Sequence, residues 1–264
     1  MAAPIVNVPQ QVWATGDFSK IGTGIVIVGE LLCESVEVHA GDRVLDIATG
    51  SGNTALAAAR RGCQVTGLDF VPALLDRARE RAAAERLKIE LQEGAAESLP
   101  FEDASFDVVL STFGAMFAEP QRTASEMLRV CRSGGKIGMA NWTPEGLVGE
   151  SFRITAKFTP PPPPGFQPPS LWGVPEVVKE RFGAAAREVR FVERRSAMRH
   201  YTPETWVEFM KKYFGPTIRA HEQAGERAPE LSAAMLDLAK RHNRSGDDTL
   251  LMYADYVEVI AIKA

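Results

Sequence analysis

The stretch from Arg43 to Phe70, RVLDIATGSGNTALAAARRGCQVTGLDF, limits the fold more than any other part of the chain. A short apolar run ends at Ala48, a glycine turn follows, an alanine-rich segment with helical spacing comes next, and a second apolar run closes on Asp69. Strand, turn, helix and strand in so short a length form a βαβ unit, whose two strands run parallel in one sheet. The alternation continues to about Trp142, with strands expected at 43–48, 64–68, 88–92, 107–112 and 135–142. Pro72 suits the first turn of a helix and Gly62 the stop of the one before it. Gly134 and Gly135 predict a turn that feeds the fifth strand.

The pattern breaks after Trp142. FTPPPPPGFQPPS, residues 158–170, cannot hold a helix or a central strand, because proline lacks the N–H and fixes φ. An insertion begins there. It carries one strand pattern at 187–201, helical patterns from Pro203 and from Pro229, and an alternating terminal strand up to Ala264. The expected fold is therefore α/β, a seven-stranded, doubly wound, mostly parallel sheet with a helical and proline-rich insertion. The expected division is an N-terminal helical region and core over 1–142, an insertion with the sixth strand over 143–250, and a terminal strand over 251–264 that returns to the core.

Charge and cysteine content exclude several function classes. A net charge of −4 gives no basic stripe for phosphate backbones, so no nucleic-acid partner is expected. Cys33, Cys63 and Cys131 are odd in number and lack metal-ligand spacing, so no metal site is expected. The N-terminus has no basic and apolar leader pattern, and no run reaches the ~18 apolar residues of a membrane span. A cytoplasmic protein is the resulting expectation.

The glycine turn specifies a ligand. Gly50, Gly52 and Ala55 satisfy a loose dinucleotide pattern, and such a turn lets a ligand approach backbone N–H groups at a helix start. Asp46, just before the turn, would repel a pyrophosphate but can face a cation; its other reading is a cap on the turn or helix. Asp69 closes the second strand, where a carboxylate can accept from both hydroxyls of a ribose. A nucleoside with positive charge suits these residues better than a phosphate ligand.

Those residues resemble the class I S-adenosylmethionine-dependent methyltransferases. VLDIATGSGN is similar to that family's first motif, EGAAESLPFEDASFDVV to its adenine loop and fourth strand, and EMLRVCRSGGKIGMANW to its fifth-strand block. The resemblance covers about 130 residues, and is nearest to the small-molecule branch that includes the ubiquinone and menaquinone ring methyltransferases. It implies an antiparallel last strand and S-adenosyl-L-methionine as cofactor. It also implies that the backbone at Ala48, Gly50 and Gly52 wraps the ligand near Asp46, and that Asp69 holds the ribose. Phe70 and Ala96 would then border adenine, while Ser111 and Phe113 would line the methionine end. Where many relatives have an Asp, this chain has Ala95, so Glu97 or water takes that role or affinity is lower. Trp13 and Asp17 are candidates from a covering N-terminal helix, against a core anchor and a cap.

The acceptor is expected to be a small, partly apolar molecule, methylated at O, N or ring carbon. Phe113, Met116 and Phe117 after the fourth strand suggest an apolar wall, with Trp142, Phe166 and Trp172 as further aromatics. For the proline-rich arm two readings stand, a lid bearing Phe166 or a homodimer contact. Base candidates are His200, Tyr201, His221 and His242, each with a structural alternative. Two rivals stand beside this reading: a non-catalytic cofactor-binding or assembly protein, and a nicotinamide oxidoreductase, which Asp46 argues against.

Overall fold

The computed structural model describes residues 8–264, with side chains from residue 9; the first residues of the leader reading lie outside them. Helices α1 (Val8–Ala14), α2 (Phe18–Gly22) and α3 (Val26–Val36) precede strand β1 (Arg43–Ile47). The alternating core follows as α4 (Asn53–Arg60), β2 (Gln64–Asp69), α5 (Pro72–Glu85), β3 (Glu90–Glu93), β4 (Phe106–Thr112), α6 (Pro120–Val130) and β5 (Cys131–Trp142). The insertion contributes α7 (Leu147–Ala156), α8 (Pro175–Phe182), β6 (Ala186–His200), α9 (Pro203–Tyr213), α10 (Gly215–Ala224) and α11 (Ala228–His242), and β7 (Leu250–Lys263) ends the fold.

Among the described residues one seven-stranded sheet runs in the order β3-β2-β1-β4-β5-β7-β6. Strands β1 to β5 pair in parallel, while β7 is antiparallel to both β5 and β6, as expected. Central strands carry apolar side chains on both faces because helices cover both. On one face Leu32, Cys33 and Val36 of α3 meet Ala55, Ala57 and Ala58 of α4 over Val44, Val65 and Val108. The alanines let α3 and α4 lie close together. On the other face Met127 and Val130 of α6 and Trp172, Phe182 and Trp206 of the insertion join Val109, Ile137 and Met139 in the larger core.

The fifth strand begins earlier than the sequence suggests. Phe106 pairs with Cys131, and Val108 already pairs with Lys136, so the intervening residues bulge out of the ladder. Gly134 takes φ +69° within that bulge, and a Cβ on Gly135 would stand 2.8 Å from the Asp107 carbonyl oxygen. The glycines thus make an irregularity inside a strand instead of a turn before it.

The proline-rich arm also differs from expectation. Pro160–Pro164 run as an exposed loop, and Phe166 at their end is 52% exposed. Pro169–Gly173 then form a 3-10 turn that buries Trp172 against Phe182, with the Arg181 guanidinium 4.4 Å from its ring centre. The aromatic that this segment buries is spent on the core.

Candidate active site

Parallel pairing of β1 and β2 aligns Asp46 with Gly67 and brings both strand ends to one crevice. The connecting turn is held to β2 by the Thr49 N–H, which donates to the Leu68 carbonyl at 3.0 Å. Ala48, Gly50 and Gly52 all take positive φ, at +53°, +55° and +85°. Only Ala48 does so against the steric preference of an L side chain. A Cβ on Gly114 would come within 2.5 Å of the Ala48 Cβ, so the loop after β4 closes tightly on this turn.

Asp69 accepts from the Gly50 N–H at 2.8 Å through one oxygen and from the Val71 N–H at 2.9 Å through the other. Each carboxylate oxygen keeps a further lone pair for a ligand hydroxyl. Burial pushes this carboxyl upward, and the N–H groups of Val71, Gly50 and Phe70 pull against it. Asp46 is buried beneath the turn, where one oxygen accepts from the Thr49 hydroxyl at 2.6 Å and from the Ala55 N–H in the first turn of α4 at 2.9 Å. Burial raises its carboxyl to about 7 despite those two donors, and the nearby Asp69 adds to the rise. The capping reading of Asp46 therefore describes its contacts, and the residue also borders the cavity beside the turn.

That first cavity brings together Trp13, Asp46, Ala48, Gly50, Asp69, Phe70, Ala95, Ala96, Glu97 and Phe113. Three acids, bare backbone at a glycine turn and, among the described residues, no lining arginine or lysine fit a cationic nucleoside such as S-adenosylmethionine. Gly52 shapes the turn from behind: its Cβ would stand 3.1 Å from Ala78. Glu97 directs one oxygen to the Glu119 N–H at 3.0 Å.

A second cavity adjoins the first across Trp13, Phe18, Ile25, Phe113 and Phe117. Nine aromatic side chains line it, including Trp142, Phe152, Trp206, Phe209 and Phe214. Phe113 stands on the boundary with φ +57°, buried against Trp142 and Tyr256. A bulky residue in the left-handed region at such a place is held by its packing.

Several expected residues lie elsewhere. Asp17 caps α2, accepting from the Ser19 N–H at 3.1 Å, and lines neither cavity. Ser111 donates to the Ile47 carbonyl at 2.8 Å and accepts from the Ala115 N–H at 3.0 Å, which ties β4 to β1 away from the cavity surface. Thr112, its neighbour on the alternate face, lines the first cavity instead. Met116 is fully packed in the core, as is Trp172, and Phe166 faces solvent; none of the three lines either cavity. The lid expected from the proline-rich arm is absent from both cavity walls, and the second is lined instead by α2, α7, β6 and α9.

The base candidates separate in the same way. His221 bridges the Thr217 carbonyl and the Ser232 hydroxyl, His242 bonds Glu150 at 2.8 Å, and Tyr201 is 87% exposed. His200 alone of these lines the second cavity. Burial lowers its imidazole below the ordinary value, with no hydrogen-bonding partner contributing.

Sequence reasoning missed the way α1 is fastened over the site. The Gln10 side chain donates to the Phe70 carbonyl, and the Asp17 N–H donates to the Tyr213 carbonyl at 3.0 Å. Phe18 and Phe214 likewise enter the cavity wall from distant segments, and no local pattern marks them. Thr112 could have been found from strand alternation, since the residue after a buried structural Ser111 faces the other way.

A family profile described as a methyltransferase domain matches residues 45–139. An uncharacterized protein of Mycobacterium tuberculosis is 39% identical over 86% of this chain and 83% of its own length. A demethylmenaquinone methyltransferase of Deinococcus radiodurans is 44% identical over 44% of this chain and 50% of that protein. The crystal structure of the YcgJ protein of Bacillus subtilis superposes with a TM-score of 0.61 at 20% identity, covering 88% of this chain and 96% of that one. The structural likeness carries the fold, and the family profile spans the turn, Asp69, β4 and most of β5.

Proposed function

We propose, for a chain that belongs to the class I S-adenosylmethionine-dependent methyltransferases, that its small-molecule acceptor is flat and largely apolar and sits in the aromatic second cavity. The observation that carries this reading is the shared wall: Phe113 and Phe117 border both the cofactor cavity and the aromatic one. When bound, S-adenosylmethionine supplies an electrophilic methyl group on a sulfonium centre. Asp69 would hold the ribose, Asp46 and the backbone from Ala48 to Gly52 the remainder, and Phe70, Ala96 and Glu97 the adenine.

The chain's own contribution to rate is alignment and exclusion of water, which methyl transfer rewards. Aromatic walls exclude water and orient a planar ring by stacking. His200 is the base in this reading, because burial keeps its imidazole neutral and able to take an acceptor proton at a ring nitrogen. The insertion over 143–250 supplies the acceptor's surroundings through Leu147–Phe152 and Ala197–Phe214, and the terminal strand returns to the sheet between β5 and β6.

No helix of the described residues is long and apolar enough to cross a membrane. A cytoplasmic location, no nucleic-acid partner and a homodimer joined through the exposed arm complete the reading; the net charge of −4 supports the second of these. The test is turnover of methyl-labelled cofactor against matched phenols, amines and quinols. Planar phenols or quinols should be labelled well above aliphatic amines, and His200→Ala should lower kcat at least tenfold with cofactor affinity unchanged. Labelling confined to aliphatic amines would overturn the acceptor assignment.

A further inference from the structure

Resting on the reading that the second cavity holds the acceptor, we infer that the acceptor is an aromatic acid, recognised through its negative charge by Lys20 and Arg199. Apart from its rings and aliphatic groups the cavity presents Thr23, Ser151, Lys20, Arg199 and His200, and no Asp or Glu among the described residues lines it. Arg60 and Arg61 are matched with Glu30, Arg129 with Glu126 and Arg241 with Glu150, whereas Arg86, Arg122 and Arg187 are exposed with no ion pair among the described residues. Lys20 and Arg199 have no such partner among the described residues, although both are exposed at the cavity rim.

The two cations come to the cavity from two different elements. Lys20 comes from α2 and Arg199 from the end of β6, and β6 packs against the turn that follows α2. Unpaired charges of one sign beside low-dielectric walls focus their field into the opening. An anion is drawn in and an ammonium group is rejected, even though aromatic faces by themselves attract cations. A neutral ring would gain only the stacking. Recognition by charge at the rim and by stacking within leaves the reacting group of an aromatic acid free to face the Phe113 boundary.

Calorimetric titration of the protein saturated with S-adenosylhomocysteine tests this, with 2-naphthoate, 2-naphthamide and 2-naphthylmethylammonium as probes of one shape and three charges. The expected order is naphthoate tightest by at least tenfold over naphthamide, with the ammonium weakest. In a Lys20→Gln, Arg199→Gln double variant the ratio of naphthoate to naphthamide affinity should fall at least fivefold. Equal affinities for the three probes, or an unchanged ratio in the double variant, overturn the charge assignment alone. Displacement of S-adenosylhomocysteine by naphthoate, instead of binding beside it, overturns the acceptor-cavity reading and this inference with it.

Discussion

The Phe113 ring lies face to face on the Trp142 indole, with ring centres 3.5 Å apart and planes 5° from parallel. Tyr256 meets Phe113 edge-on at 5.5 Å. Side chains from two strands, β5 and β7, thus pack on one side chain whose backbone is in the left-handed region, and that side chain forms the boundary between the two cavities. Trp142→Ala removes the stacked ring and leaves a large void, so stability should fall by about 3 kcal/mol or more. Denaturant unfolding measures it, and a loss under about 1 kcal/mol, the scale of an ordinary surface change, would show that the stack does not hold Phe113.

Asp69 offers a sharper test of cofactor recognition. Its oxygens already accept from Gly50 and Val71, so Asp69→Asn preserves shape while removing charge and one acceptor. S-adenosylhomocysteine binding should weaken by about 2–4 kcal/mol, the range for charge-assisted hydrogen bonds lost in a buried site. Calorimetric affinity within threefold of the parent protein would place the ribose elsewhere.

Stability should depend on pH through Asp46. Burial raises its carboxyl to about 7 from an ordinary value of 3.8, so the folded state retains a proton that the unfolded chain has released. The resulting stabilisation is complete below about pH 4 and is lost as pH rises through about 7. Asp69, also raised by burial, acts in the same direction. Unfolding free energy of the ligand-free protein should therefore decline between about pH 5 and 7, by at most about 1.4 kcal/mol per pH unit for each group. Asp46→Asn should flatten its share, and an identical slope in that variant would remove Asp46 as the cause.

Ala48 holds φ +53° without the freedom of glycine. Ala48→Gly should raise stability by about 0.5–1 kcal/mol, since relief of a left-handed alanine outweighs the added freedom of the unfolded chain. A lower melting temperature in the variant would mean that contact of the Ala48 methyl with the backbone at Gly114 matters more than strain.

The proline-rich arm lines neither cavity, so its removal should leave catalysis alone. Replacing Pro160–Pro164 by a Gly-Ser segment of equal length should keep KM for an acceptor within threefold. A tenfold rise would restore the arm as a lid, and a changed sedimentation coefficient would assign it to assembly.

The sequence alone determined the sheet and the cofactor crevice. Asp46, the turn from Ala48 to Gly52, and Asp69 lie within one βαβ unit, where strand pairing and the turn leave a single arrangement for their backbones. Local periodicity also located the insertion, because five consecutive prolines cannot continue helix or strand. Tertiary structure decided the acceptor cavity. Phe18, Phe113, Trp142, Trp206 and Phe214 come from segments far apart in the chain, and the same aromatic residue reads alike whether it fills a core, as Trp172 does, or lines a cavity, as Trp142 does. His200 is distinguished from His221 and His242 only by which partners folding brings to each ring. The periodicity of helix and strand is set by neighbouring residues and therefore leaves a pattern in the sequence, whereas side-chain packing joins distant segments and leaves none.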